Sequence, residues 1–170
     1  MSDDRSKAAA AMEIRLPALE ISTLKRREIQ GPLIAGILAE FINEIGFDKT
    51  MEVASKAIRA DALKAGEAQA GKYGGNTIKL LHRLVKEVWA AEDALAFEVL
   101  EQTDQSLSFN VTRCRYAELY EQMGIKEFGF CLSCNRDEGL IQGFNPRMKL
   151  IRTQTIMQGA ESCDFRIELE

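Results

Sequence analysis

The chain has little histidine, tryptophan or proline: one, one and three in 170 residues. It also has no excess of basic charge, since 22 Lys and Arg stand against 26 Asp and Glu for a net charge of −4. That balance argues against a nucleic-acid partner, which needs a clustered basic face. The densest basic run is Lys25-Arg26-Arg27, and no aromatic residue interrupts it. No apolar stretch approaches the roughly 20 residues of a membrane helix. Met1-Ser2-Asp3-Asp4 lacks the basic start and apolar core of a signal peptide. A cytoplasmic protein without membrane or nucleic-acid partners is therefore expected, with its four cysteines as reduced thiols. What is present, 46% hydrophobic and 28% charged residues, is an ordinary globular composition. The length suits one well-buried domain.

Periodicity orders the chain. An Ala-rich, polar stretch over residues 1–19 predicts a flexible tail, followed by a single domain over 20–170. Leu33, Ile37, Phe41 and Ile45 recur at i+4 and predict a helix from Ser22 to Ile45, broken or kinked at Gly31-Pro32. That stripe serves either the domain core or a homo-oligomeric interface. Asp48 caps a second helix over 49–72, and Gly74-Gly75 ends it. Asn76 then caps a third, reaching Ala91. Beyond Asp93 the period changes: Leu107, Phe109 and Val111 alternate with polar residues, a strand paired with Phe97–Val99 through a turn at Thr103–Gln105. Helices over 115–123 and 128–141 come next, then strands over 148–157 and 163–169. The expected fold is α+β, with N-terminal helices packed on a mostly antiparallel four-stranded sheet and short helices between strand pairs.

All four cysteines lie in the C-terminal third. Cys131-Leu132-Ser133-Cys134 is a Cys-x-x-Cys, but zinc needs a second pair or added histidines, and thioredoxin-like chemistry places the motif just after a strand. No metal or other cofactor is expected. In a helix Cys131 and Cys134 point in different directions, one to a site and the other to the core. Cys134 and Asp137, three apart, face the same way. A thiol beside a carboxylate serves as nucleophile and base or ligates a metal; the alternative is a core cysteine beside a surface aspartate. Cys163 falls on the apolar face of the last strand. Cys114 stands before a helix whose N-terminus can lower a thiol pKa. His82 is on the inner side of the third helix, where it is either a core residue or a site residue. The six arginines at 113, 115, 136, 147, 152 and 166 include candidates for gripping a carboxylate.

Five blocks carry a family resemblance: FNVTRCRYAELY from Phe109 to Tyr120, LSCNRD from Leu132 to Asp137, GFNP from Gly143 to Pro146, RTQTIMQG from Arg152 to Gly159, and CDFR from Cys163 to Arg166. Together they resemble the L-2-amino-thiazoline-4-carboxylic acid hydrolase family, over roughly residues 20–169. The resemblance implies hydrolytic opening of a cyclic amidine-like thiazoline at the carbon between nitrogen and sulfur, giving a carbamoyl-cysteine. It implies Cys134 or Cys163 as nucleophile, Asp137 as base or amidine partner, and Arg152 as carboxylate anchor. Thr155, Cys114, Tyr116 and His82 are expected around the substrate. The closing pattern Gly159-x-x-x-Cys163-x-Phe165 is also similar to vinyl-4-reductase-type small-molecule-binding domains. In that reading Cys134 and Cys163 lie close together, Arg152 and Thr155 stand where other zinc ligands would fall, and the domain binds a small molecule or acts as a sensor without catalysis.

Overall fold

The computed structural model describes residues 21–170, and the tail expected over 1–19 lies outside them. Helix α1, Thr23–Ile45, begins where the Ser22 hydroxyl accepts a hydrogen bond from the Lys25 N–H at 3.1 Å, satisfying one of the free amides of a first turn. It continues unbroken through Gly31 and Pro32. Proline forfeits one helical hydrogen bond, but both halves of α1 share one buried face, Leu24, Gly31, Ala35 and Leu38, which holds them in line. The i+4 stripe falls on the other side of the helix. Leu33 is 70% exposed and Phe41 53%, so the stripe is not core.

Helix α2, Phe47–Tyr73, comes directly after and ends at Gly74 in the left-handed conformation. Helix α3, Ile78–Leu84, is capped by Thr77 rather than Asn76, its hydroxyl accepting from the Leu80 N–H at 3.3 Å. It widens into a π turn over Val85–Trp89. The sheet contains β1, Leu95–Gln102, β2, Ser106–Cys114, β3, Met148–Ile151, and β4, Cys163–Leu169. Its order is β1-β2-β4-β3, every neighbour antiparallel. The alternation in β2 buries Leu107, Phe109 and Val111, and its register sets Phe109 opposite Phe165 and Val111 opposite Cys163. The two phenyl rings stack with centroids 4.7 Å apart. Between β2 and β3 come α4, Arg115–Gln122, α5, Lys126–Gly129, a π turn over Phe130–Cys134, and α6, Asn135–Phe144. The single helix expected over 128–141 is thus a helical run with a π turn in its middle.

Strand β3 is shorter than the strand expected over 148–157. After Ile151 the chain leaves the sheet because the Asp164 carboxylate takes the Thr153 and Gln154 N–H groups, at 3.0 and 2.8 Å. A short 3₁₀ turn, Ile156–Gln158, replaces the rest of the strand.

Helices α2 and α6 pack almost backbone to backbone. A Cβ on Gly66 would strike the Leu140 carbonyl, one on Gly143 the Leu63 carbonyl, and one on Gly139 would lie 2.8 Å from the Arg59 carbonyl oxygen. This contact fixes α6, and with it Asp137. Two hydrophobic clusters result. One joins α3 to the sheet through Ile78, Leu81, Phe109, Phe165 and Ile167. The other joins α1 to α4 and the π turn through Leu24, Leu38, Tyr120, Phe128 and Leu132.

Candidate active site

A cavity of about 1040 Å³ opens where the two clusters meet, walled by α1, α2, the α3 π turn, the sheet and the start of α6. That volume is at the upper end of the roughly 300–1,000 Å³ usual for small-molecule sites. Its apolar walls include Ile34, Ile58, Trp89, Leu95, Leu132 and Phe165. Seven of the site candidates singled out in the sequence line it: Cys114, Tyr116, Cys134, Arg136, Asp137, Arg152 and Cys163.

The π turn explains how Cys134 arrives there. A π turn adds a residue to a helical turn and shifts the phase of the residues after it. Cys134 ends the turn and lines the cavity together with Asp137. Cys131 faces away, toward α2, where the Ser55 hydroxyl donates to its sulfur at 3.4 Å.

Arg152 reaches the cavity from the end of β3. Its Nη1 donates to Asp137 Oδ2 at 2.5 Å and its Nη2 to the Cys134 carbonyl at 3.1 Å. Its guanidinium carbon lies 5.0 Å from the centre of the Phe165 ring, a cation–π contact. Arg152 is therefore committed to Asp137 and to the backbone rather than open to a ligand. Burial raises the Asp137 pKa, opposed by Arg152 first and then by Arg136 and Arg27. Among the described residues Asp137 makes no other side-chain hydrogen bond.

The thiols are neutral. Burial pushes Cys134 far above the ordinary cysteine value, and the neighbouring Asp137 carboxylate adds to the effect. Cys114 rises to about 11 through burial, which outweighs the Tyr116 and Ala117 N–H groups at the start of α4. The acidifying helix terminus expected at Cys114 thus loses to desolvation. The Cys163 thiol is also pushed up by burial, and its sulfur accepts the Ile156 N–H at 3.2 Å, pinning the turn after β3. Among the described residues, no group of three or more His, Cys, Asp or Glu side chains is placed to hold a metal ion.

His82 and Thr155 lie away from the cavity lining. His82 Nδ1 pairs with Gln102 Oε1, its ring meets Phe97 edge-on, and burial lowers its pKa. Thr155 is 2% exposed, and its hydroxyl caps the 3₁₀ turn by accepting from Gln158 N–H at 3.3 Å. Tyr116 lines the cavity but donates its hydroxyl to the Trp89 carbonyl at 3.0 Å. Sequence reasoning missed Arg27 and Tyr120, which also line the cavity. Arg27 lies three residues after Leu24 and four before Gly31, on the buried face of α1, so the correct face would have pointed to it.

Comparison with known proteins decides the family, because the family model described as L-2-amino-thiazoline-4-carboxylic acid hydrolase matches residues 26–167. The chain belongs to this hydrolase family. The match takes in both sides of the cavity, from Arg27 on α1 to Phe165 on β4. No curated protein matches the chain. Two solved structures share the fold of this hydrolase-family chain. One is a trafficking protein particle complex subunit 3 from Naegleria fowleri covalently bound to palmitic acid, at 12% identity and TM-score 0.50, covering 84% of this chain and 96% of that one. The other is the phenol-responsive sensory domain of the transcription activator PoxR with phenol, at 11% identity and TM-score 0.51, covering 92% of this chain and 78% of that one. At such identities the likeness is one of fold. Among the described residues no helix is long and apolar enough to cross a membrane.

Proposed function

We propose that the cavity binds a small cyclic amidine-like substrate of the 2-amino-thiazoline-4-carboxylate type and hydrolyses it at the ring carbon between nitrogen and sulfur. The observation that carries this reading is the Asp137–Arg152 pair within the cavity, beside Cys134. A carboxylate oxygen is the natural acceptor for the N–H groups of an amidine edge. With Arg152 holding Oδ2, the other Asp137 oxygen serves the substrate and the attacking water. Water forms the new C–O bond while Asp137 accepts its proton, and the ring bond to nitrogen or sulfur breaks. The departing heteroatom then takes a proton, so the net change is addition of one water.

The neutral state of Cys134 favours water over a preformed thiolate as the attacking group, and gives that thiol the role of hydrogen-bond donor to the ring. Product formation from L-2-amino-thiazoline-4-carboxylate, read by mass spectrometry, tests the reading. Wild type yields carbamoyl-cysteine, Asp137→Asn slows it about 100-fold or more, and Cys134→Ser keeps measurable turnover. No product from folded wild type would end the hydrolytic reading for this substrate.

One observation favours a second reading. The cavity is large for a five-membered ring, and the two structures of similar fold hold a fatty acid and a phenol. A ligand-binding or sensor role without turnover accounts for this, and saturable binding with no product would select it.

A further inference from the structure

Beside the Asp137–Arg152 pair the cavity has a second polar region, built by α1, α4 and α6. Arg27 and Tyr120 are lining residues, and so is Arg136. Tyr120 is fully buried, yet among the described residues its hydroxyl has no hydrogen-bond partner. Among the described residues Arg27 Nε is likewise buried and unpartnered, and its Nη1 donates to the neutral Gln30 amide at 3.2 Å. Arg136 is held by Asp61 at 2.6 Å and Arg152 by Asp137. The two carboxylates beside these three guanidiniums are therefore already engaged. Among the described residues, none pairs with Arg27.

An unpaired buried charge and an orphaned buried hydroxyl are both costly, and folding alone gives no reason to place them together. The burden shows in Arg27 itself. Burial and then the repulsion of Arg136 lower its pKa to about 10. Exposed Lys64 and Lys72 add further positive charge along α2. Each of these features is relieved by one event, the arrival of an anion.

We infer that Arg27 and Tyr120, with Arg136 beside them, form an anion subsite that takes the carboxylate of the substrate. The inference rests on reading this cavity as the substrate site, and it gives Arg27 the anchoring role that the sequence resemblance implies for Arg152. A ring without the acid fills only half of the site.

Calorimetric titration of the full chain tests this, comparing 2-amino-thiazole-4-carboxylate, an aromatic analogue that resists hydrolysis, with 2-amino-thiazole, the same ring lacking the acid. Wild type should bind the acid about tenfold or more tightly, the scale of a charge-assisted hydrogen bond. Arg27→Gln should abolish that preference. Tyr120→Phe, which removes only a hydroxyl and keeps the ring packing, should reduce it. An undiminished preference in Arg27→Gln would overturn the subsite.

Thermal shift with benzoate and inorganic phosphate, which cannot be hydrolysed, separates this claim from the hydrolase reading. Benzoate or phosphate stabilising wild type but not Arg27→Gln, with no thiazoline turnover, keeps the subsite and removes the hydrolysis. Equal stabilisation of both proteins, or of neither by any of the anions, removes the subsite even if product forms.

Discussion

Arg152 and Arg27 line the same cavity, and the protein treats their charges in opposite ways. Arg152 is clamped by Asp137 and by the Cys134 carbonyl, and it rests on the Phe165 ring. Arg27 has a buried Nε without a partner and no carboxylate beside it among the described residues. The first arrangement is complete without a ligand, while the second is not. A satisfied pair orients a reacting group, whereas an unsatisfied cation selects what enters. On this account the Asp137 side of the cavity performs the reaction and the α1 side recognises the substrate.

The largest effect is expected from Asp137→Asn, which keeps the shape and removes the base. Turnover falls about 100- to 10,000-fold in a product assay while the circular dichroism spectrum is unchanged. Arg152→Gln leaves the Asp137 charge without its partner and costs about 3 kcal/mol in urea unfolding. Arg27→Gln removes an uncompensated charge, so the same measurement should show no loss, or a gain of about 1 kcal/mol. Comparable losses in the two arginine variants would remove the contrast.

Gly143→Ala tests the scaffold that places Asp137. Its Cβ meets the Leu63 backbone, so α2 and α6 must separate, and a loss of about 1–3 kcal/mol in thermal or urea unfolding is expected. The thiols give a smaller and pH-dependent signal. Cys114 is raised from 9.0 to about 11 in the folded protein. Its contribution to stability is therefore complete below pH 9 and disappears as pH rises through about 11. The melting temperature should fall across that window, and Cys114→Ala should flatten the fall. Least affected is Cys131→Ser, which lies outside the cavity and should leave turnover unchanged.

Much of this architecture was legible in the sequence. The alternation of Leu107, Phe109 and Val111 marked β2, Gly74-Gly75 marked the end of α2, and the Cys134–Asp137 spacing marked one side of the cavity. The failures have local causes. The large residues Leu33, Ile37 and Phe41 drew attention to the exposed face of α1, while the buried face is built from Leu24, Gly31, Ala35 and Leu38 and includes the position of Arg27. Hydrophobic size misled because that face mixes leucines with Gly31, where a Cβ would lie 3.1 Å from the Met123 side chain. The end of β3 was overextended because Asp164, distant in sequence, removes the Thr153 and Gln154 amides from the ladder. Cys114 stood at a helix start, but no local rule foretold that burial would outweigh the N–H groups there. His82 and Thr155 belong to the hydrogen-bonded interior rather than to the cavity.

The division of labour between the two arginines is tested most directly by a crystal structure of wild type with 2-amino-thiazole-4-carboxylate, an aromatic analogue that keeps both the amidine-like edge and the acid. The account predicts the amino edge on Asp137 with the Asp137–Arg152 pair intact, and the carboxylate on Arg27 beside Tyr120. A carboxylate bound to Arg152 with Asp137 displaced, or a ligand outside this cavity, would contradict it.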